Sequence, residues 1–427
     1  MERVLRWVAA MGFWVQGFRC FPWLVVSYYL KDGLRVAPSS LQLLQSSANA
    51  PMVAKPLYGL LSDTLYIRGA HRLPYVAIGA LLQAMSWLAI ALLPESSISI
   101  SILSFFLLLS NLGASIAEVA NDAIVAEAGK QSQSTSGSGQ LQSFVFMAAA
   151  SAGVLGNLLG GMAIDHLSPR IIFALFGLLL VLQFLVTVSI PESSLNLPKK
   201  KGQSSNSSSI RKQGSEILSA LRKPEIFYSI LWFFASFAIV PVLAGTMFFY
   251  QTEHLQLDSS VIGFSKVFGQ AALLVWSVVY NKRLKNISVR KLLSVLQASI
   301  ALIMISDVLF VKGVYRSIGV PDSLYVVIFS GLLEALFQFK VLPFSVLLAR
   351  LCPAGCEGSI MAFLMSAIAL AVIVSGYLGV ALAAFIGVSE KDFSGLTLGL
   401  LIQAACTALP LYWSSWIPVS DKPEKKE

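Results

Sequence analysis

The sequence has few of the groups that carry chemistry in soluble enzymes. Only 12% of its 427 residues are charged, and it has just three histidines, His71, His166 and His254, each in a different loop. Scattered in this way they make neither a metal site nor a nucleophile-base pair, which argues against a membrane enzyme. Cysteine is equally sparse: Cys20, Cys352, Cys356 and Cys406. Cys352 and Cys356 have three residues between them, which is neither zinc-ribbon nor thioredoxin spacing, so reduced, structural thiols are expected. There is no phosphate-cradling Walker sequence, hence no sign of direct ATP hydrolysis, and no cofactor or metal is predicted.

What the chain has instead is apolar surface. At 56% hydrophobic residues it carries more than a soluble core could bury, so lipid is the expected solvent for most of it. The net charge of +9 does not mark a nucleic-acid binder, because no soluble domain is long enough to cluster it on one face.

Apolar runs of about 20 residues, each able to cross roughly 30 Å of hydrocarbon as a helix, recur along the chain. They are Gly12–Leu30, Leu41–Leu61, Pro74–Leu93, Ile98–Ala126, Gln140–Ile164, Ile171–Ile190, Ile226–Tyr250, Val261–Tyr280, Leu292–Phe310, Ser323–Leu348, Gly358–Ile386 and Gly395–Trp416. Between the sixth and seventh, a Lys-, Ser- and Asn-rich stretch from Pro191 to Pro224 lacks apolar periodicity and reads as a linker. The expected fold is an all-α membrane protein of twelve transmembrane helices. Its two six-helix halves would occupy 1–190 and 225–417, joined by the linker 191–224 and followed by a polar tail, 418–427.

Orientation follows from the basic residues, which are retained on the cytoplasmic-type side. With the N-terminus inside, 21 Lys and Arg fall in inside segments, six in outside segments and four within helices. Both termini and the linker are therefore expected inside. The sequons at Asn206 and Asn286 would then lie inside and stay unmodified. The start, Met1 to Arg6, is too short for a transit peptide and the next apolar run is long enough to span, so targeting is expected to be internal or to lie upstream of this sequence.

The four basic residues inside helices, Arg19, Lys55, Lys266 and Lys340, are the most informative charges, because an ionisable group in hydrocarbon normally faces the bundle interior or a watered cavity. Arg19, Lys55 and Lys340 are candidate binders of an anionic solute. Glu118, Asp122 and Glu334 are candidate proton carriers; Glu118 and Asp122 are four apart, on one helix face, where neighbouring carboxylates hinder each other's ionisation. The competing reading is that these charges pair and only fix packing, for example Lys55 with Asp122. Lys266 and Asp307, near helix ends, are expected to snorkel.

Between the second and third runs lies a charged, Gly- and Pro-marked hairpin from Lys55-Pro56-Leu57-Tyr58-Gly59 through Asp63, Arg68, Arg72 and Tyr75. Asp63, Arg68 and Arg72 suit a salt-bridged latch at the inner surface that breaks and re-forms as two halves rock. A late loop, Arg350-Leu351-Cys352-Pro353 through Glu357-Gly358, turns tightly at Pro353 and Gly355 and lets Arg350 pair with Glu357. Gly153, Gly156, Gly160, Gly161, Gly376 and Gly379 are read as close-packing positions. The aromatic first run, with Trp14, Phe18, Phe21, Trp23, Tyr28 and Tyr29, offers rings that can stack on a pterin, though most are expected to pack or to sit at the interface.

At these residues the chain resembles the folate-biopterin transporter family of the major facilitator superfamily, in particular its plant members. The resemblance rests on Val15-Gln16-Gly17 leading to Tyr29-Leu30-Lys31-Asp32, on the hairpin, on the Arg350 to Gly358 loop and on the acidic stretch Asp122-Ala123-Ile124-Val125-Ala126-Glu127. Tyr66 stands where the family often has proline, and His71 and Leu73 where arginines are common. The resemblance implies alternating access and proton-coupled movement of folates or pterins through a lipid bilayer, the plastid envelope being one membrane that plant members occupy. It implies that Asp122 is a functional carboxylate, that Lys55 and Asp63 belong to the signature, and that Arg350 and Glu357 belong to the late loop. The alternatives are a transporter of another organic anion and a non-transporting receptor or scaffold.

Overall fold

Prolines decide where the spanning helices break. Proline has no N–H to give to the carbonyl four residues before it, and its ring clashes there, so a helix breaks just upstream. The computed structural model describes residues 2–94, 97–131, 135–195, 219, 222–284, 286–351 and 357–418. Its first span is split into α1 (Glu2–Phe18) and α2 (Cys20–Tyr28), ahead of Pro22. The second is split into α3 (Pro38–Ala48), α4 (Ala50–Val53) and α5 (Lys55–Thr64), ahead of or at Pro51 and Pro56. Four unbroken helices complete the first half: α6 (Leu73–Leu92), α7 (Ile100–Gln131), α8 (Thr135–Ala163) and α9 (Pro169–Ser189).

The second half repeats the plan. Its opening span is interrupted around Pro241, between α10 (Pro224–Ala238) and α11 (Ala244–Phe249). Then come α12 (Ser259–Val279), α13 (Val289–Val311) and the short α14 (Val314–Ser317). The tenth span runs through α15 (Asp322–Tyr325), a π-helical turn at Val326–Ser330, α16 (Gly331–Phe339) and, beyond the break ahead of Pro343, α17 (Val341–Leu351). It ends with α18 (Glu357–Phe385) and α19 (Leu396–Ala408). Eight helical stretches are long and apolar enough to cross a membrane; the first, second, seventh and twelfth spans complete the twelve. The described residues contain no strand, only an isolated bridge from Ile67 to Ala70 in the hairpin.

The two halves share local geometry that the residue types conceal. The first span ends in a π-helical turn, Tyr29–Gly33, and the seventh in another, Tyr250–His254. After each, the backbone makes the same pair of hydrogen bonds: Leu34 N and Val36 N to Tyr29 O and Leu30 O, and Leu255 N and Leu257 N to Tyr250 O and Gln251 O. Between them Arg35 and Gln256 adopt left-handed φ values of 49° and 50°, a conformation that non-glycine residues seldom take and that must be held by the turn around it. Identical strain at corresponding positions marks a structural duplication.

One end of the bundle carries the hairpin 65–72; it is called the hairpin face, and the opposite end the far face. The halves meet chiefly toward the far face. Lys31 pairs with Glu253 at 2.5 Å, joining the two π-helical turns. Gln42, almost fully buried, donates to Val242 O at 2.6 Å and Gly376 O at 2.8 Å and accepts from Gly245 N at 2.8 Å. Ser259 donates to Gly161 O at 2.7 Å, where Gly161 and Gly263 approach so closely that a Cβ on either would stand 2.9 Å from the other's Cα. An apolar cluster spans both halves here, with Leu24 and Tyr28 against Leu243, Tyr250 and Leu382. Toward the hairpin face the clusters stay within one half: Val8, Leu73, Val76 and Ile124 in the first, Ile226, Phe344 and Ile360 in the second. The described polar contacts between the halves thus gather toward the far face, with Ser366 of α18 donating to Val53 O midway along the second span and α5 packing against α18 beyond it.

Candidate functional site

Three of the four intramembrane basic residues stand at helix breaks. Arg19 lies between α1 and α2, Lys55 opens α5, and Lys340 separates α16 from α17. Arg19 and Lys55 converge on one carboxylate of α7: Arg19 Nη1 donates to Glu118 Oε1 at 2.5 Å and Lys55 Nζ to Glu118 Oε2 at 2.7 Å. Arg19 Nη2 also donates to Asn111 Oδ1 at 2.6 Å, and Asn111 Nδ2 to Ala48 O at 2.6 Å, which ties the cation to the break in the second span. The side chains of Arg19 and Lys55 remain 15% and 19% accessible against 9% for Glu118, so solvent reaches the triad from the cation side.

Asp122 stands one turn along α7 from Glu118, nearer the hairpin face. It is exposed and makes no hydrogen bond or ion pair among the described residues. Lys55 therefore pairs with Glu118 and leaves Asp122 uncommitted, where the packing alternative placed Lys55 with Asp122. Across the cleft Lys266 Nζ meets Glu334 Oε2 at 3.1 Å, joining α12 to α16. Both side chains are substantially accessible. Lys266 is therefore an ion-pair partner within the cleft rather than a snorkelling group.

Lys340 is not brought to this cleft. It is fully buried, its Nζ donating to Ser236 O and Oγ at 3.2 Å and to Gln297 Oε1 at 3.0 Å, and lying 3.8 Å from the centre of the Phe237 ring. Three acceptors and a π face satisfy the buried amino group without any carboxylate. The aromatic residues of the first span are engaged too: Phe18 stacks on Trp14 and Phe21, Trp23 meets Trp87 edge-on, and Tyr29 meets Phe173. They are largely the core of the first half.

The hairpin face holds a second ionic cluster. Arg72 is buried and donates to Asp63, to Glu127 Oε1 at 2.5 Å through Nη2, and to Ser62 Oγ at 2.5 Å. Glu192, just past the sixth span, caps α6: its carboxylate accepts from the backbone N–H groups of His71, Arg72 and Leu73 at 2.8 to 3.2 Å, where a helix N-terminus favours negative charge. His71 bridges Glu192 at 2.9 Å and Glu127 at 3.5 Å. Those two carboxylates, Glu127 first, raise the His71 imidazole to about 9. Burial works against Glu192 ionising, but the bonds from His71 and the three backbone amides bring it down to about 2. Arg68 takes no part in the cluster; it is exposed, with a left-handed φ of 53°. The side chains of Arg350 and Glu357, and all of 352–356, lie outside the described residues. The sequence reading missed Glu127, Glu192 and His71 as one network, because they come from three distant segments. Its one visible signal was the acidic end of the Asp122 to Glu127 stretch.

Comparison with known proteins agrees with this architecture. A profile of the BT1 family matches residues 16–427. "Probable folate-biopterin transporter 7" of Arabidopsis thaliana is 60% identical over 423 residues, covering 99% of this chain and 95% of that protein. "Probable folate-biopterin transporter 9, chloroplastic" of the same plant is 44% identical, over 98% of this chain and 78% of that one. The "Folate-biopterin transporter" of Synechocystis sp. is 28% identical, over 97% and 83%. Among solved structures, a D-xylose-proton symporter superposes with a TM-score of 0.69 at 15% identity over 97% of each chain. The POT family transporter PepTSo does so with 0.72 at 12% identity over 98% of each, a likeness of fold. With twelve spans in two halves, a match over nearly its whole length and a relative at 60% identity, the chain belongs to the BT1 family and is a multi-pass membrane protein of the major facilitator fold.

Proposed function

We propose that the chain is a secondary transporter that moves folate- or pterin-like solutes by alternating access, with proton binding at Asp122 linked to solute movement. The observation that carries this is the Arg19–Glu118–Lys55 triad with Asp122 uncommitted beside it. The cleft charges are Arg19, Lys55 and Lys266 against Glu118, Asp122 and Glu334, balanced while Asp122 is ionised. A proton on Asp122 leaves one positive charge in excess, and the cleft then favours an anion. A folate supplies two glutamate carboxylates, and Arg19 or Lys55, released from Glu118, can bind one of them. Arg19 and Lys55 thus act as anion binders, Glu118 as their resting counter-ion, Glu334 as a second proton-carrying candidate, and Lys340 as a packing residue.

The far-closed arrangement is one end state of the cycle. The census of basic residues puts the hairpin face on the cytoplasmic-type side and the far-face contacts on the opposite side. Asp63, Arg72 and Glu127 form the latch at that face, and Arg350 and Glu357 of the late loop remain its further candidate members. Residues 1–190 and 225–417 are the two moving units, joined by 191–224. The names of the relatives support folates and pterins as solutes, and those named chloroplastic support the plastid envelope as the membrane.

Uptake of a labelled folate into proteoliposomes under an imposed proton gradient is the test. Asp122→Asn is expected to abolish gradient-driven uptake while the protein still inserts and melts normally. Undiminished gradient-driven uptake by that variant refutes the role of Asp122. Wild-type protein that responds to the gradient but transports another organic anion in competition refutes the solute assignment instead.

A further inference from the structure

The second half buries a carboxylate that the cleft does not use. Asp307, on α13 about one turn from the far face, is 5% exposed. Its expected snorkelling does not occur: the side chain turns inward and Oδ1 accepts from the Tyr325 hydroxyl at 3.0 Å. No cation contacts it among the described residues. The Tyr325 hydroxyl also contacts Ser306 Oγ at 2.9 Å, and Ser306 Oγ contacts the Tyr315 hydroxyl at 2.7 Å. Three hydroxyls therefore form an unbroken chain ending on the carboxylate, and its other end, Tyr315, is a partly accessible residue of α14 at the far face.

The surroundings isolate this chain. Phe310 and Phe329 stack on Tyr325 with ring centres 4.2 and 4.8 Å away. Nearby on α14 and α15, Arg316 and Asp322 pair with each other at 2.7 Å, and Lys312 after α13 is exposed. The Tyr250 hydroxyl is directed to Val311 O at 3.4 Å. From α16 the only charged group, Glu334, is spent on Lys266, and α19 brings only Cys406, ten residues below its far-face end. An ionised carboxylate in such a setting, with one donor and no cation, is costly in a membrane interior, and a proton removes that cost.

We propose that Asp307 is a proton-binding site of the second half, loaded from the far face through the hydroxyls of Tyr315, Ser306 and Tyr325. In the transfer, Tyr325 gives its proton to the Asp307 carboxylate and takes that of Ser306. Ser306 takes that of Tyr315, and Tyr315 takes one from water at the surface. One proton enters, the carboxylate becomes a carboxylic acid, and each hydroxyl is regenerated. The site adjoins the far-face closure, since Tyr325, Val326 and Val308 share one apolar cluster with Leu24 and Tyr28 of the first half. The π-helical turn Val326–Ser330 begins at the next residue, a local irregularity able to shift in register. The site deepens the proton-coupled reading, but its occupancy is measurable without any solute.

The experiment is pH-difference infrared spectroscopy of the full-length protein in solute-free liposomes, following the carbonyl band of protonated carboxylic acids. Asp307→Asn is expected to delete one such band. Ser306→Ala is expected to keep the band but to slow its appearance after an acid jump by at least roughly tenfold, because the relay loses its middle hydroxyl. A full set of bands in Asp307→Asn overturns the site, and a wild-type rate in Ser306→Ala overturns the path. Either outcome stands apart from a failure of folate uptake, because no solute is present.

Discussion

Replacing Gln42 with leucine tests whether the far-face closure is a true state of a two-state molecule. Gln42 makes three hydrogen bonds to the opposite half while nearly fully buried. In the far-closed state Gln42→Leu leaves the Gly245 N–H and the Val242 carbonyl without this partner and takes the side-chain donor from the Gly376 carbonyl, which keeps its bond within α18; in a far-open state water reaches all three. Each net bond contributes about 0.5–1.5 kcal/mol, so closure weakens by about 1.5–4.5 kcal/mol. At about 1.4 kcal/mol per factor of ten, the closed-to-open ratio falls roughly ten- to a thousandfold. The assay is pulsed-EPR distance measurement between spin labels at exposed far-face positions, His166→Cys and Lys312→Cys, in a background without native cysteines. The distance distribution should shift to longer values in Gln42→Leu. Gln45→Leu is the control, because Gln45 donates only to Ser27 within its own half. An unchanged distribution in Gln42→Leu, or an equal shift in Gln45→Leu, refutes the assignment of Gln42 as the clamp.

Glu118→Gln leaves Arg19 and Lys55 facing each other without a counter-ion. The partial solvation of both puts the loss near the low end of the range for broken buried pairs, about 3 kcal/mol, read as a lower Tm. His71 is raised to about 9, so its stabilising share is complete below pH 6.5 and is lost as pH rises through about 9. A Tm-against-pH series should fall across that alkaline interval, and His71→Gln should flatten the fall. Lys340→Met should leave the half-saturating solute concentration unchanged and alter stability by less than about 2 kcal/mol, since the residue lies outside the cleft; weakened binding would return it to the site.

Much of the architecture was legible because lipid imposes a simple rule: about 20 apolar residues in a row read as a span without knowledge of what they touch. The same rule singled out Arg19, Lys55 and Glu118, and the fold brings both cations to the one carboxylate, at 2.5 and 2.7 Å. It failed at Lys340, because charge in a span predicts an interior environment but not which interior; Ser236, Gln297 and Phe237 supply one that faces away from the cleft. It failed at Asp307 because position along a helix says nothing of direction around it, and the side chain points to Tyr325 rather than to the surface. The hairpin-face cluster was hidden for a different reason. Glu192 reads as part of a linker until the fold sets it on the N-terminus of α6. The duplication of the halves was hidden as well, since Arg35 and Gln256 share a backbone conformation and no chemistry.

The contact of Gly161 with Gly263 has a mechanical consequence. Two rigid bodies that tilt against each other need a line along which neither moves far, and a close backbone approach between them is a natural fulcrum. With no side chain on either glycine, α8 and α12 can roll over each other there, and a small rotation at that bearing becomes a wide opening at the ends of the helices. A methyl group on either residue would act as a shim, lifting the halves apart at a place where their spacing sets the throw of the whole lever.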